Sequence, residues 1–186
     1  MSFTMVIDRR TIRTQAAIET GFIEVLSQKP LNKITVLELT EQINIGRGTF
    51  YSHYKDLFDL YNRIMQETTR TLSRLFDENY PDPGTDSYEF FANQMITYVD
   101  EHRKLFTSLM HNDLGGKFAI QLKEMLMRKV EEHQNITGTD TREHGRVSFT
   151  CSGVIGLMVD WLDDKLAISA DDLSDLVAEL IVNMYA

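Results

Sequence analysis

Residues Thr35–Lys55 read TVLELTEQINIGRGTFYSHYK, and the rest of the chain is best understood outward from them. Thr35 reads as a helix N-cap, with Glu38 three residues on completing a capping box, and Val36, Leu39 and Ile43 follow on one side of a short helix. Asn44-Ile45-Gly46 breaks that helix with a turn former and the residue most tolerant of positive φ, so the chain can reverse there. A second short helix runs from Arg47 to His53 or Tyr54, with Phe50 and Tyr54 four apart and facing inward. The remaining surface is Arg47, Gly48, Thr49, Tyr51, Ser52 and His53, nearly all hydrogen-bonding groups. Two short helices about a tight turn, the second apolar beneath and polar, partly basic, on its outer face, have the layout of a helix-turn-helix. Such segments also occur in proteins that never touch nucleic acid, where Tyr51 and His53 would be ordinary exposed residues. The expectation taken forward is DNA binding.

Composition fits this reading once the chain is divided. Net charge is −9, yet residues 1–65 carry 8 Lys+Arg against 7 Asp+Glu, and the remainder carries 11 against 21. The acidity therefore lies outside the helix-turn-helix part, where it should keep DNA away from other surfaces. Three prolines, ten glycines and apolar residues at helical spacing almost throughout imply an all-α protein. No apolar run reaches transmembrane length and no signal-peptide pattern opens the chain, so a cytoplasmic location is expected. The single cysteine, Cys151, sits in an apolar stretch and reads as a buried small hydrophobe rather than a redox sensor.

Taken in order, a first helix runs to about Ser27 with Ile18, Phe22, Val25 and Leu26 on one side, and Gln28-Lys29-Pro30 ends it. Arg9, Arg10 and Arg13 at its start are either a solvated helix end or contacts to flanking phosphates. A long helix is expected from Asp56 to about Glu78. Asn79–Asp86 holds two of the three prolines and reads as the clearest linker. Further apolar periodicities follow from Ser87, with breaks at Asn112–Gly116 and Gln134–Asp140. The last two helices span about Arg142–Asp164 and Ala170–Tyr185, the second opened by a Ser169-Ala170-Asp171-Asp172 cap. Both carry apolar residues on more than one side, which implies more than one packed neighbour.

GRGTFYSHYKD resembles the recognition-helix signature of the TetR family of transcriptional regulators. The resemblance covers Arg9 to Met65 and extends over the rest in length and helical layout. It implies an N-terminal three-helix DNA-binding domain over residues 1–55, joined through the long helix at 56–78 to a larger regulatory and dimerisation domain over 56–186. One departure is Leu57, where the family usually has a basic residue; Lys55 is the nearby substitute. Arg47 has the fork geometry for guanine, Gly48 lets the backbone approach a base or thymine methyl, and Ser52 lies one turn along the same side. By resemblance Thr49, Tyr51 and His53 contact phosphates, as would Lys55, and Thr35 would combine capping with a phosphate contact.

The resemblance also implies a homodimer through the last two helices, with Gly153 and Gly156 permitting close approach; the alternative is that these helices only complete the monomer's core. One short helix covers too few base pairs to select a site, so a two-fold dimer on a palindromic operator is expected. Family members commonly hold a small-molecule effector between the middle helices. Phe90, Met95, Tyr98, Phe106, Met110, His111, Phe118, Met125 and Trp161 are the candidates here, each with plain core as its other reading. His111 on an apolar helix needs a polar partner. No metal-ligand spacing, glycine-rich phosphate loop or nucleophile elbow occurs, so neither a cofactor nor catalysis is expected. The reading is a repressor released from its operator by an unknown effector. The alternative is an interaction protein or co-activator of the same fold, kept open by Leu57 and the near-neutral first 65 residues.

Overall fold

The computed structural model describes residues 9–81, 88–112, 116–136 and 140–185. Among these there are nine α-helices, one turn of 3₁₀ helix at Leu31–Lys33, and no strand. No helix among the described residues is long and apolar enough to cross a membrane. The chain forms two compact units, Met1–Met65 and Gln66–Ala186, and their division falls within the fourth helix.

The first unit holds α1 (Arg9–Leu26), α2 (Val36–Gln42), α3 (Arg47–His53) and the start of α4 (Leu57–Asn79). Its core is Ile18, Phe22, Leu39, Phe50 and Leu60, all fully buried, with Tyr54 beside them. Thr35 caps α2 as expected, its Oγ1 accepting from the Glu38 N–H at 3.2 Å. The Glu38 carboxylate is engaged by Lys29 Nζ at 2.5 Å, which ties the end of α1 to α2. The turn between α2 and α3 differs from the expectation. Asn44, not Gly46, takes the left-handed conformation, with φ of 54°. Gly46 is extended, at φ −72° and ψ 145°, and serves as the N-cap of α3. Asparagine tolerates the left-handed region better than most residues, so Gly46 is not needed there.

A tight constraint lies instead at Gly21. A β-carbon placed on it would stand 2.2 Å from Ile43 Cγ2, so the bare backbone of α1 is what admits the end of α2. Asp56 and Asp59 close the start of α4: the Asp59 N–H donates to Asp56 Oδ1 at 2.7 Å, and the Lys55 N–H donates to Asp59 Oδ2 at 3.0 Å. That bond, together with Arg63 one turn on, holds the Asp59 carboxyl below the usual carboxylate range.

The second unit contains the rest of α4, then α5 (Tyr88–Glu101), α6 (Arg103–His111), α7 (Lys117–His133), α8 (Thr141–Leu162) and α9 (Ala170–Tyr185). The main pairings are α5 with α9 and α7 with α8. The α5–α6 break at His102 carries no glycine or proline signal. Gly116, left-handed at φ 73°, precedes α7. The Ser169 cap is reciprocal: the Asp172 N–H donates to Ser169 Oγ at 3.0 Å, and that hydroxyl donates to Asp172 Oδ2 at 2.6 Å. Most of the expected linker, residues 82–86, lies outside the described residues.

Candidate nucleic-acid interface and ligand cavity

Helix α3 is seven residues long and is held from below. Phe50 is fully buried and Tyr54 nearly so. The Tyr54 hydroxyl donates to Glu19 Oε1 of α1 at 2.8 Å, and the Arg63 guanidinium lies 5.3 Å from the Tyr54 ring centre. Burial first, and then the Glu19 carboxylate, push the Tyr54 phenol well above its ordinary value, so it remains a hydrogen-bond donor at any physiological pH. These contacts fix the roll of α3 about its axis. They leave Arg47, Gly48, Thr49, Tyr51 and Ser52 exposed on its outer side, with His53 half-buried beside them.

Tyr51 is 56% exposed, and its ring meets Phe50 edge-on at 5.5 Å. Such exposure is high for an aromatic residue, although the phenol is well placed to donate to an acceptor brought from outside. Ser52 Oγ donates to the Thr49 carbonyl at 2.7 Å and can still accept. Thr35 and Lys55 are also exposed, as are Arg9, Arg10 and Arg13 in the first turns of α1. Leu57, at the position where the signature calls for a base, is only 7% exposed and belongs to the core. A basic group at that site would have to leave the apolar interior to meet a phosphate, and Lys55, two residues earlier, does not have this difficulty.

In the second unit five helices line a partly open cavity of about 100 Å³. Leu72 and Phe76 come from α4, Phe91 and Met95 from α5, Met125 from α7, Cys151 and Ile155 from α8, and Val177 from α9. Of the nine residues expected at a ligand site, Met95 and Met125 are in this wall. The others are elsewhere. Phe90 points outward and is 56% exposed, because Phe91 takes the inward position of that turn. Phe106 and Phe118 pack on one another at 6.1 Å in fully buried core. Tyr98 lies against His102, 4.4 Å between ring centres, and Met110 is half-buried.

Trp161 has a structural task. Its Nε1–H donates to the Ile168 carbonyl at 3.0 Å, and the Arg103 guanidinium covers its ring at 4.3 Å while donating to Asp164. His111 does have a polar partner, Asp163 Oδ1 at 2.6 Å, but on the surface rather than in a cavity. His133 and His144 likewise pair with carboxylates, Asp77 at 3.2 Å and Glu131 at 2.6 Å. Among the described residues no group of three His, Cys, Asp or Glu could hold a metal ion. The α4 contribution to the cavity was visible in sequence as an apolar stripe, but nothing in it distinguishes a cavity wall from solid core.

Helices α8 and α9 bury Val147, Cys151, Ile155, Leu173 and Val177 inward. On other sides of the same helices Phe149 is 70% exposed, with Leu180 and Val182 also exposed. A β-carbon on Gly153 or Gly156 would meet nothing within 4 Å in the chain itself.

A family model described as "Transcriptional regulator C-terminal region", from the TetR group, matches residues 86–183. A Bacillus subtilis (strain 168) relative, described as the uncharacterized HTH-type transcriptional regulator YxbF, is 22% identical over 172 residues, 90% of this chain and 44% of the relative. The chain thus spans less than half the length of that relative. Among solved structures, a TetR transcriptional regulator from Streptococcus agalactiae 2603V superposes with a TM-score of 0.67 at 23% identity, over 95% of this chain and 98% of that one. NalD, described as the secondary repressor of the MexAB-OprM multidrug efflux pump in Pseudomonas aeruginosa, gives 0.67 at 16% identity over the same shares. With more than half of its length matched by the family model, and with a helix-turn-helix of the form described above, the chain belongs to the TetR family of transcriptional regulators.

Proposed function

We propose that the chain acts in the cytoplasm as a homodimeric repressor that binds a palindromic operator and leaves it when a small molecule occupies the cavity. In this reading residues 1–55 form the DNA-binding head, and residues 56–186 sense the effector and dimerise. The observation that carries the proposal is the orientation of α3, where Phe50 and Tyr54 anchor one side and a strip made mostly of hydrogen-bonding groups faces outward. Arg47 would read a guanine bidentately, with Gly48 and Ser52 along the same side of the groove. Thr49, Tyr51, His53, Lys55 and Thr35 would hold phosphates and set the register. Pairing of α8 and α9 across a two-fold axis would cover Phe149 and Leu180 and would use the open backbone at Gly153 and Gly156. Two heads would then meet successive major grooves roughly 34 Å apart.

Fluorescence anisotropy on labelled DNA from upstream of the chain's own gene tests this, at two salt concentrations and against excess unrelated DNA. Specific binding should fall steeply with salt, because each neutralised phosphate releases counterions. Replacing Tyr51 and His53 together by Ala should lower operator affinity and leave the salt slope little changed, because the slope counts the phosphates neutralised by Lys and Arg. Unchanged operator affinity in that variant would remove the assignment of α3 as the reading helix.

A further inference from the structure

The cavity in the second unit carries a chemical signature of its own. Among the described residues, none that lines it is Asp, Glu, Lys, Arg or His. Oxygen and thiol groups are confined to Tyr80, Tyr88, Thr150 and Cys151. Two of these are engaged within the protein: Gln134 Nε2 donates to the Tyr80 hydroxyl at 2.8 Å, and Thr150 Oγ1 donates to the Arg146 carbonyl at 3.0 Å. Burial pushes the Cys151 thiol up to about 12, so it stays uncharged at neutral pH. Met95, Met125 and Met158 supply unbranched thioether side chains, which adapt to the outline of whatever enters. An ionised ligand would lose its water against this wall and gain no counter-charge.

We infer that the cavity takes a neutral, predominantly apolar small molecule with at most one hydroxyl-type polar group. Its role as effector rests on the reading proposed above; its chemistry rests on the wall. At about 100 Å³ the space is smaller than the roughly 150 Å³ that accommodates benzene in an engineered cavity, so longer molecules enter as the methionine side chains move aside.

Straight-chain alcohols from 1-butanol to 1-octanol are the probes, with carboxylates and alkylammonium ions of equal length as charged counterparts. The full chain is labelled with carbon-13 at its methionine methyls and titrated at neutral pH, the signals being assigned by single Met→Leu replacements. Alcohols should shift the methyls of Met95, Met125 and Met158 and leave Met110 and Met127, which are not in the wall, in place. Affinity should rise about fourfold per added methylene until the cavity is full. Carboxylates and ammonium ions should bind about tenfold more weakly or worse. Charged homologues that shift the same three methyls as tightly as the alcohols would overturn the inference, and so would the absence of any such shift with every alcohol. Operator release is measured separately. Alcohols that fill the cavity without releasing DNA would support the ligand chemistry and defeat the effector role.

Discussion

Gly21→Ala adds one methyl group at the tightest glycine of the first unit. The new β-carbon would begin 2.2 Å from Ile43 Cγ2, whereas carbon atoms rest about 3.5 to 4.0 Å apart, so a gap of about 1.3 Å or more must open. Ile43 cannot simply swing its γ-branch away. It is β-branched and stiff at χ1, and it is the C-cap of α2, its N–H bonded to the Leu39 carbonyl. Overpacking of this kind costs about 1 to 3 kcal/mol. Alanine also favours a helix interior over glycine by about 1 kcal/mol, which partly hides that cost. Gly48→Ala in α3 gains from the same preference and meets nothing within 4 Å. Gly48 lies in the first turn of α3, where that preference is weaker, so the stability difference between the two variants is the packing penalty less the unmatched part of the preference, about 1 to 2 kcal/mol in favour of Gly48→Ala. Urea unfolding followed by far-UV circular dichroism measures it. Ile43→Leu, which has no Cγ2 methyl on its β-carbon, should recover most of the loss when combined with Gly21→Ala. If Gly21→Ala proves as stable as Gly48→Ala, the close approach of α1 and α2 does not constrain this fold.

Thr35→Ala should destabilise the first unit by about 1 kcal/mol through loss of the α2 cap, while Thr35→Ser should keep most of it, again read by urea unfolding. Arg47→Ala should cost about 1 to 3 kcal/mol on the preferred operator and relax selectivity at one base pair, seen by titrating operators altered singly. Lys55→Ala should instead weaken binding to all sequences alike and reduce the salt slope by about 1. In the second unit, Lys165 and then His111 hold the Asp163 carboxyl below the usual carboxylate range. A carboxyl depressed on folding stabilises above its unfolded value of about 3.9, and that contribution is lost as pH falls through the lower folded value. Asp163→Asn should therefore melt below the parent chain at pH 7, and the gap in Tm should close under acid conditions below about pH 4.

The helix-turn-helix was legible because its determinants are local. Thr35, Phe50, Tyr54 and the polar strip between them are set by spacing within one short stretch, and the structure has them as read. The turn was less so, since Asn44 and Gly46 both tolerate unusual backbone and only the folded chain decides which one uses that freedom. Gly21 gave no signal, because its constraint comes from Ile43, far along the sequence. The same holds for the cavity: five helices line it, and an inward Phe91 beside an outward Phe90 cannot be told apart by composition. Trp161 and His111 were read as possible ligand groups from the family resemblance, His111 also as a polar residue on an apolar helix that needs a partner. Arg103 and Asp163, the partners that explain them, come from other parts of the chain.

The Arg103 clasp over Trp161 has a practical consequence for anyone following this protein by light. Trp161 is the one tryptophan in the chain and lies in the second unit, buried beneath a guanidinium. Its emission is thus a private reporter of the joint between α6 and α8, within the second unit. Recorded beside the backbone dichroism of the whole chain, it makes the two halves spectroscopically separable without any label: coincident transitions would mean one cooperative molecule, and split transitions would mean a head that melts on its own.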